Sequence, residues 1–98
     1  MAQFHVYRLR DGALVMDCQS DSLSHLSTRV VAPLLPTDRL PKPNPRLHPI
    51  FTIDETGYVL ATHLLATVQA RDLVRPLLLF GERRYEIVSA LDLVITGV

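Results

Sequence analysis

Polar and apolar residues alternate in short segments at the beginning of the chain. Residues 3–8 alternate, so Phe4 and Val6 are predicted to share one face of a strand. The turn signal Asp11-Gly12 follows, and residues 14–19 provide a returning strand. This pattern predicts a β-hairpin.

Further strands are predicted beyond the hairpin. Residues 29–35 hold a β-branched run that is typical of a buried strand, and residues 50–53 and 58–61 form a second hairpin. In that hairpin Gly57 is expected to supply the positive φ of the turn. Residues 63–68 are ambiguous between helix and strand, and their Thr-Val pair favours a strand.

Six of the seven prolines lie between Pro33 and Pro49. Proline lacks a backbone donor and fixes φ, so residues 36–45 are predicted to form a long surface loop. Residues 77–80 are a short apolar run that stops at Gly81.

The last segment has a helical period, which predicts a helix over residues 82–95. Glu82 is placed at the positive end of this helix dipole, and Gly97 is placed where a left-handed cap would end the helix. The apolar positions at helical spacing are Ile87, Val88, Leu91, Val94 and Ile95.

Together these elements predict a mostly β chain of the α+β class, with about five antiparallel strands and one C-terminal helix. Successive short hairpins favour a barrel or a curled sheet. With 98 residues, the chain is expected to form a single domain over residues 1–98.

The charge balance argues against a nucleic-acid-binding module. Ten Lys and Arg balance ten Asp and Glu, whereas phosphate contacts require excess positive charge. Arg83-Arg84 is the only adjacent basic pair and is interpreted as a solvated helix face. The single Cys18 excludes an intramolecular disulfide and is interpreted as a buried thiol, which suits a cytoplasmic protein. No apolar run approaches the length of a membrane span.

Motifs for catalysis, for a metal or for a cofactor are missing from the sequence. Asp54-Glu55 is expected to be a solvated turn rather than an acid–base pair. The four histidines are scattered and are expected at the surface or at strand edges: His5, His25, His48 and His63.

The order and spacing of residues along almost the whole chain resemble the CcdB toxin family. The resemblance starts in the first strand, continues with Gln19-Ser20-Asp21 and Arg29, and ends with Ala90-Leu91 and Gly97. Other matching positions are Gln3, Phe4, Val6, Tyr7, Val31, Pro33, Leu34, Leu47, Pro49, Ile53, Thr62, Ala66 and Val68.

This resemblance implies an SH3-like barrel with a small accessory sheet and a long C-terminal helix, assembled as a symmetric homodimer. It implies a CcdA-like antitoxin whose disordered tail neutralises the toxin. The implied target is the A subunit of DNA gyrase. The toxin traps gyrase on cleaved DNA without being a catalyst and without a cofactor.

The same resemblance indicates which residues contact gyrase. In the best-known member the last three residues, Trp-Gly-Ile, make this contact, and Thr96, Gly97 and Val98 stand in their place here. Thr96 departs from the tryptophan. The helix residues Leu91, Val94 and Ile95 are the candidates for the dimer interface.

Two alternatives stay open at this point. MazF-type endoribonucleases share the barrel, but they need cationic and acid–base residues at an RNA groove, and no basic early loop is evident here. A non-toxic binding or regulatory protein is the other alternative, and the missing tryptophan supports it.

Overall fold

The computed structural model describes residues 3–40 and 42–98. In this part of the chain seven strands form one antiparallel sheet, and one α-helix follows them. The mostly β architecture is therefore confirmed, with seven strands instead of about five. The strands are β1 (His5–Arg8), β2 (Leu14–Asp17), β3 (Thr28–Pro36), β4 (Ile50–Ile53), β5 (Thr56–Leu60), β6 (Ala66–Gln69) and β7 (Pro76–Leu79), and the helix is α1 (Arg84–Thr96).

The nine-residue strand β3 organises the sheet. The strand order is β4-β5-β3-β2-β1-β7, and β6 also pairs with β3. The first part of β3 pairs with β6, and its last part pairs with β5. One strand therefore belongs to both branches of the sheet, which lets the sheet curl.

The curl brings β4 close to the end of β7, although these strands are at opposite ends of the hydrogen-bonded order. The ring of Phe51 in β4 lies 4.6 Å from the ring of Phe80, centroid to centroid. Nη1 of Arg83 donates to the carbonyl oxygen of Ile50 at 2.7 Å. Side chains, rather than a strand ladder, close this seam.

The two faces of β1 enter different apolar clusters, as its alternation predicts. Val6 lies in the main core, which also holds Phe51, and Tyr7 lies in a second cluster. Helix α1 covers the main core with its buried residues Ile87 and Ala90. The alternation in β1 therefore indicates the buried side chains correctly, whereas of the apolar helix positions Ile87 is buried and Ile95 is exposed.

The second hairpin forms as predicted, but the role expected for Gly57 is wrong. Ile53 pairs with Thr56, so the turn consists of Asp54 and Glu55, which have φ of 50° and 66°. A two-residue turn of this kind needs positive φ at both central residues. Gly57 lies in β5 opposite Thr52. In the first hairpin Gly12 has φ of 89°, which confirms that turn.

The helix begins later than predicted. A 3₁₀ turn at Gly81–Arg83 precedes α1, so Glu82 lies in that turn and Glu86 occupies the first turn of the helix. The first strand likewise starts at His5, because Phe4 has φ of 72°.

The ambiguous segment 63–68 and the proline-rich segment, which was predicted as a loop, both have mixed structure. Thr62–Leu64 is a 3₁₀ turn, and the strand β6 follows it. The proline-rich segment starts with the end of β3 and a 3₁₀ turn at Thr37–Arg39, and residues 42–49 contain neither strand nor helix. Pro41, which belongs to the predicted loop, lies outside the described residues.

Candidate functional site

The end of α1 presents the three residues that the family resemblance indicates. Gly97 adopts the left-handed conformation with φ of 80°, as predicted, and its N–H donates to the carbonyl of Leu93 at 3.0 Å. The hydroxyl of Thr96 donates to the carbonyl of Asp92 at 2.8 Å. Thr96, Gly97 and Val98 are all exposed, and Val98 is 75% exposed. This segment is therefore accessible to a partner.

The helix residues expected at an interface differ in exposure. Leu91 is half-buried and packs against the core, Val94 is half-buried, and Ile95 is 71% exposed. Leu64 is also exposed, on the 3₁₀ turn that α1 contacts. An apolar helix face is therefore only partly used by this chain's own fold.

A groove that local sequence patterns do not reveal lies between the first hairpin and the segment that leads into β7. Its volume is about 380 Å³, and four arginines line it: Arg8, Arg10, Arg71 and Arg75. Arg8 donates to the carbonyl of Gly12 at 3.1 Å. Within residues 3–40 and 42–98 none of the four forms an ion pair. We call this surface the arginine groove.

The arginine groove corrects the expectation that the early loop is not basic. Arg8 and Arg10 flank Leu9 at the first turn, and the chain brings the other two arginines to them from a distant segment. Two spacings in the sequence could have indicated this groove. They are Arg-x-Arg at Arg8 and Arg10, and Arg-x-x-x-Arg at Arg71 and Arg75. Their proximity depends on the pairing of β1 with β7, which no local pattern shows.

A fully buried ion pair joins β2 to the start of β3. Nη2 of Arg29 lies 2.7 Å from Oδ2 of Asp17, and both side chains are 0% exposed. Oδ1 of Asp17 accepts the N–H of Gln19 at 3.1 Å, and Oε1 of Gln19 accepts the N–H of Val30 at 3.1 Å. Because water and ligands cannot reach this guanidinium, the network supports the fold rather than a reaction.

His48 and His63 contact each other, and His48 is buried, contrary to the expectation for it, whereas His63 is exposed as expected. Nδ1 of His48 accepts the N–H of Asn44 at 2.9 Å, so Nε2 carries the proton and donates to Nδ1 of His63 at 2.9 Å. Burial, followed by the neighbouring His63, lowers the pKa of His48. Among the described residues no three potential ligands gather around a metal position. His25 is exposed, as expected.

The two adjacent arginines at the start of the helix, Arg83 and Arg84, form contacts with other side chains of the chain. Arg83 pairs with Glu86 at 2.7 Å and lies 4.1 Å above the ring of Phe51. Nη1 of Arg84 donates to Oε1 of Gln3 at 3.1 Å. The interpretation as a solvated face is therefore wrong for Arg83, which is half-buried, and is confirmed for Arg84, which is exposed.

Two other expectations are confirmed. Asp54 and Glu55 are exposed in their turn. Cys18 is buried directly after β2, and burial, with a smaller effect of Asp17, raises the pKa of its thiol to about 12. A thiol with this pKa stays protonated at neutral pH and is a poor nucleophile.

Solved structures define the class of fold. An endoribonuclease from Mycobacterial species shares 18% identity at a TM-score of 0.74, with 97% of this chain and 90% of that chain covered. The Mycobacterium tuberculosis toxin MazF-mt6 shares 16% identity at a TM-score of 0.72, with 94% of each chain covered. At this identity the similarity concerns the fold, a curled antiparallel sheet with helical elements.

The sequence itself narrows this class to one family. Residues 3–97 match the family model described as CcdB protein, and the chain belongs to the CcdB family. No curated protein matches the sequence significantly. Membership of this family indicates the toxin of a toxin–antitoxin system, which implies an antitoxin as partner. In residues 3–40 and 42–98, no helix combines the length and the apolar character that a membrane span requires.

Proposed function

We propose that this chain is a cytoplasmic toxin that binds the A subunit of DNA gyrase and traps the gyrase–DNA cleavage complex. In this proposal it acts by binding and not as an enzyme. The observation that carries the proposal is the exposure of Thr96, the last residue of α1, and of Gly97 and Val98 after it. The left-handed conformation of Gly97 ends the helix at this point.

The composition of the segment supports the proposal only in part. Gly97 and an aliphatic residue at position 98 agree with the family, whereas Thr96 replaces a tryptophan. Interface tryptophans are frequent hot spots, so the loss of one weakens binding by about 2 kcal/mol or more. We therefore propose a weaker gyrase contact than the family's, or a differently shaped gyrase surface.

A homodimer of single-domain protomers is part of the same proposal. Ile95 leaves apolar surface exposed near the end of α1, Leu64 does so on the 3₁₀ turn that α1 contacts, and Leu91 and Val94 are only half-buried. Burial of this surface in a twofold interface, at about 25 cal/mol per Å², would stabilise a small chain. The dimer would also place two copies of the Thr96–Val98 segment near each other, which suits a twofold target.

Removal of the exposed segment tests the proposal. The truncated chain that lacks Thr96 to Val98 should fold and bind its antitoxin, but should neither arrest growth nor produce gyrase-linked DNA breaks. The variant Val98→Asp should act like the truncation, whereas Val98→Ile should keep the activity. A truncated chain that is fully toxic would contradict the assignment of this segment.

An endoribonuclease is the second candidate, because the arginine groove supplies cations and the structural neighbours include an endoribonuclease. Among the described residues that line the groove there is no histidine, and Asp72 carries the only carboxylate. The candidate is tested by incubating the purified chain with RNA. RNA cleavage that is lost in the variant Arg8→Ala would favour an endoribonuclease. Growth that is unaffected by expression of the chain would instead favour a non-toxic binding protein.

A further inference from the structure

A hydrogen-bonded turn in the proline-rich segment closes around one buried imidazole. The N–H of His48 donates to the carbonyl of Asn44 at 2.8 Å, and the N–H of Asn44 donates to Nδ1 of His48 at 2.9 Å. Oδ1 of Asn44 accepts the N–H groups of Arg46 and Leu47 at 3.0 Å and 3.3 Å. His48 is only 8% exposed. The turn over residues 44–48 therefore depends on a free lone pair at Nδ1 of His48.

The other ring nitrogen of His48 joins this turn to a distant segment. Its Nε2–H donates to Nδ1 of His63 at 2.9 Å, and His63 lies on the 3₁₀ turn that α1 contacts. We call the turn over residues 44–48, together with the imidazoles of His48 and His63, the histidine latch. The latch therefore connects the proline-rich segment to the part of the fold that α1 contacts.

The hydrogen bonds of His48 speak against a role as a metal ligand. A histidine that binds a metal normally donates its second ring N–H to an oxygen. In His48 the Nδ1 atom instead accepts an N–H, and Nε2 carries the proton. Neither nitrogen has a lone pair left for a metal. The arrangement responds to protons instead.

The ring hydrogen bonds of the latch require two neutral imidazoles. A proton added to Nδ1 of His48 would face the N–H of Asn44, and a proton added to Nδ1 of His63 would face the Nε2–H of His48. In both cases two donors point at each other. Burial, followed by the neighbouring His63, lowers the pKa of His48. The closed latch therefore disfavours the charged form of His48.

The surrounding elements do not compensate a charge on the latch. Among the described residues no carboxylate lies at ion-pair distance from either imidazole. The charged and titratable residues of the turn, of β5 and of α1 are Arg46, Tyr58, Arg84, Tyr85, Glu86 and Asp92. Glu86 is paired with Arg83 at 2.7 Å. A protonated imidazole gains more from water than from these neighbours, which favours opening of the turn.

We propose that the histidine latch is an acid-sensitive conformational switch. It holds the turn over residues 44–48 closed while both imidazoles are neutral, and it releases this turn when either imidazole takes up a proton. The sheet and α1 stay folded in the open form. Opening uncovers His48 and Pro49, which are buried in the closed form. This inference goes beyond the proposed gyrase contact and does not depend on it.

The test is amide hydrogen exchange of the full chain, measured by NMR between about pH 7.5 and about pH 5 and compared with the rate of an unstructured chain. The amides of Asn44 and His48 report on the latch, and the amides of β2 and β3 are the reference. The variant His48→Asn offers an uncharged oxygen near the position of Nδ1, so it can hold the turn without titrating. His25→Gln is the matched control, because it removes an exposed histidine outside the latch.

We expect the protection of the two latch amides to fall about fivefold or more over this range, because the open form binds more protons than the closed form. The reference amides should change less than about twofold, since the sheet stays folded. The control variant should behave like the original chain, whereas His48→Asn should lose most of the pH dependence.

A second variant keeps the test decisive if His48→Asn does not fold. His63→Gln retains an acceptor for the Nε2–H of His48 but leaves one imidazole to take up a proton, so it should reduce the fall in protection. Latch amides with unchanged protection at low pH, an equal fall in the reference amides, or an undiminished fall in the folded latch variants would each overturn the inference.

Discussion

The carboxylate of Asp17 and the guanidinium of Arg29 form an ion pair at 2.7 Å with no access to solvent. Nε of Arg29 also donates to Asp17 at 3.0 Å, and its Nη2 donates to the carbonyl of Gln19 at 3.3 Å. Nη1 has no hydrogen-bond partner among the described residues. Removal of either charge would leave the other one buried and uncompensated.

The first prediction follows from this pair. The variant Arg29→Ala should lose about 3–5 kcal/mol in the free energy of unfolding, because the carboxylate of Asp17 stays buried without its partner. Urea denaturation followed by circular dichroism measures this loss. The double variant Asp17→Leu with Arg29→Met removes both charges and should be considerably more stable than the single variant. A loss below about 1 kcal/mol in the single variant would contradict the buried pair.

The turn of the second hairpin gives the second prediction. Glu55 has φ of 66°, a conformation that costs a non-glycine residue about 1 kcal/mol. The variant Glu55→Gly should therefore be more stable by about 1 kcal/mol, which thermal or urea unfolding would detect. Glu55→Ala is the control, since it removes the charge but keeps the backbone cost. An equal gain in both variants would show that charge, and not backbone conformation, is responsible.

The histidine pair predicts a dependence of stability on pH. Because the pKa of His48 is lower in the folded chain than its ordinary value of about 6.5, the unfolded chain binds more protons between these two values. Stability should be fully present above about pH 6.5 and should fall as the pH decreases toward the lowered pKa of His48.

The measurement is the urea midpoint between about pH 7.5 and pH 5. The variant His48→Gln should show a smaller decrease over this range than the original chain. His25→Gln removes an exposed histidine and should leave the decrease unchanged. If the urea midpoint of His48→Gln decreased as much as that of the original chain, a group other than His48 would be responsible for the pH dependence.

The exposed helix side chain Ile95 predicts the behaviour of the proposed dimer. The variant Ile95→Glu should convert a dimer to a monomer at micromolar concentration, because a carboxylate in an apolar twofold interface is repelled and desolvated. Sedimentation velocity measures this change. Val74→Glu is the control, because Val74 is similarly exposed but lies outside the helix. A chain that is already monomeric at that concentration would refute the dimer.

The position of Thr96 predicts a gain of affinity. The variant Thr96→Trp should bind the A subunit of DNA gyrase about 30-fold more tightly if the exposed segment makes the contact. Surface plasmon resonance with this gyrase subunit in purified form measures the affinity. Thr96→Val is the control for the loss of the hydroxyl that bonds to Asp92. An unchanged affinity in Thr96→Trp would place the gyrase contact elsewhere on the chain.

Local sequence patterns predicted the elements whose signals are local. The turn at Asp11-Gly12, the strands of both hairpins and the cap at Gly97 are all present where alternation or turn chemistry placed them. The prediction for Gly57 was wrong. A glycine near a turn can belong to the turn or to the adjacent strand, and only the strand register decides between the two. The register places this glycine in β5.

Contacts between distant segments could not be predicted from local sequence patterns. His48 and His63 meet because β4 and β5 fold back on one another, and Asp17 meets Arg29 because β2 pairs with β3. Charged residues in a strand give no sign of burial when their partner lies in another strand. The arginine groove is the largest such case, since its two halves belong to β1 and to the segment before β7.

The seam between β4 and β7 has a dynamic consequence. Phe51, Phe80 and Arg83 join its two sides, while the six strand pairings lie elsewhere in the sheet. Among the described residues, separation of the two sides therefore breaks the contact of Phe51 with Phe80, the contact of Arg83 with the ring of Phe51 and one side-chain hydrogen bond, but no ladder. Fluctuations of this curled sheet should concentrate along that line, and its flanking amides should exchange with solvent by local opening while β2 and β3 stay protected.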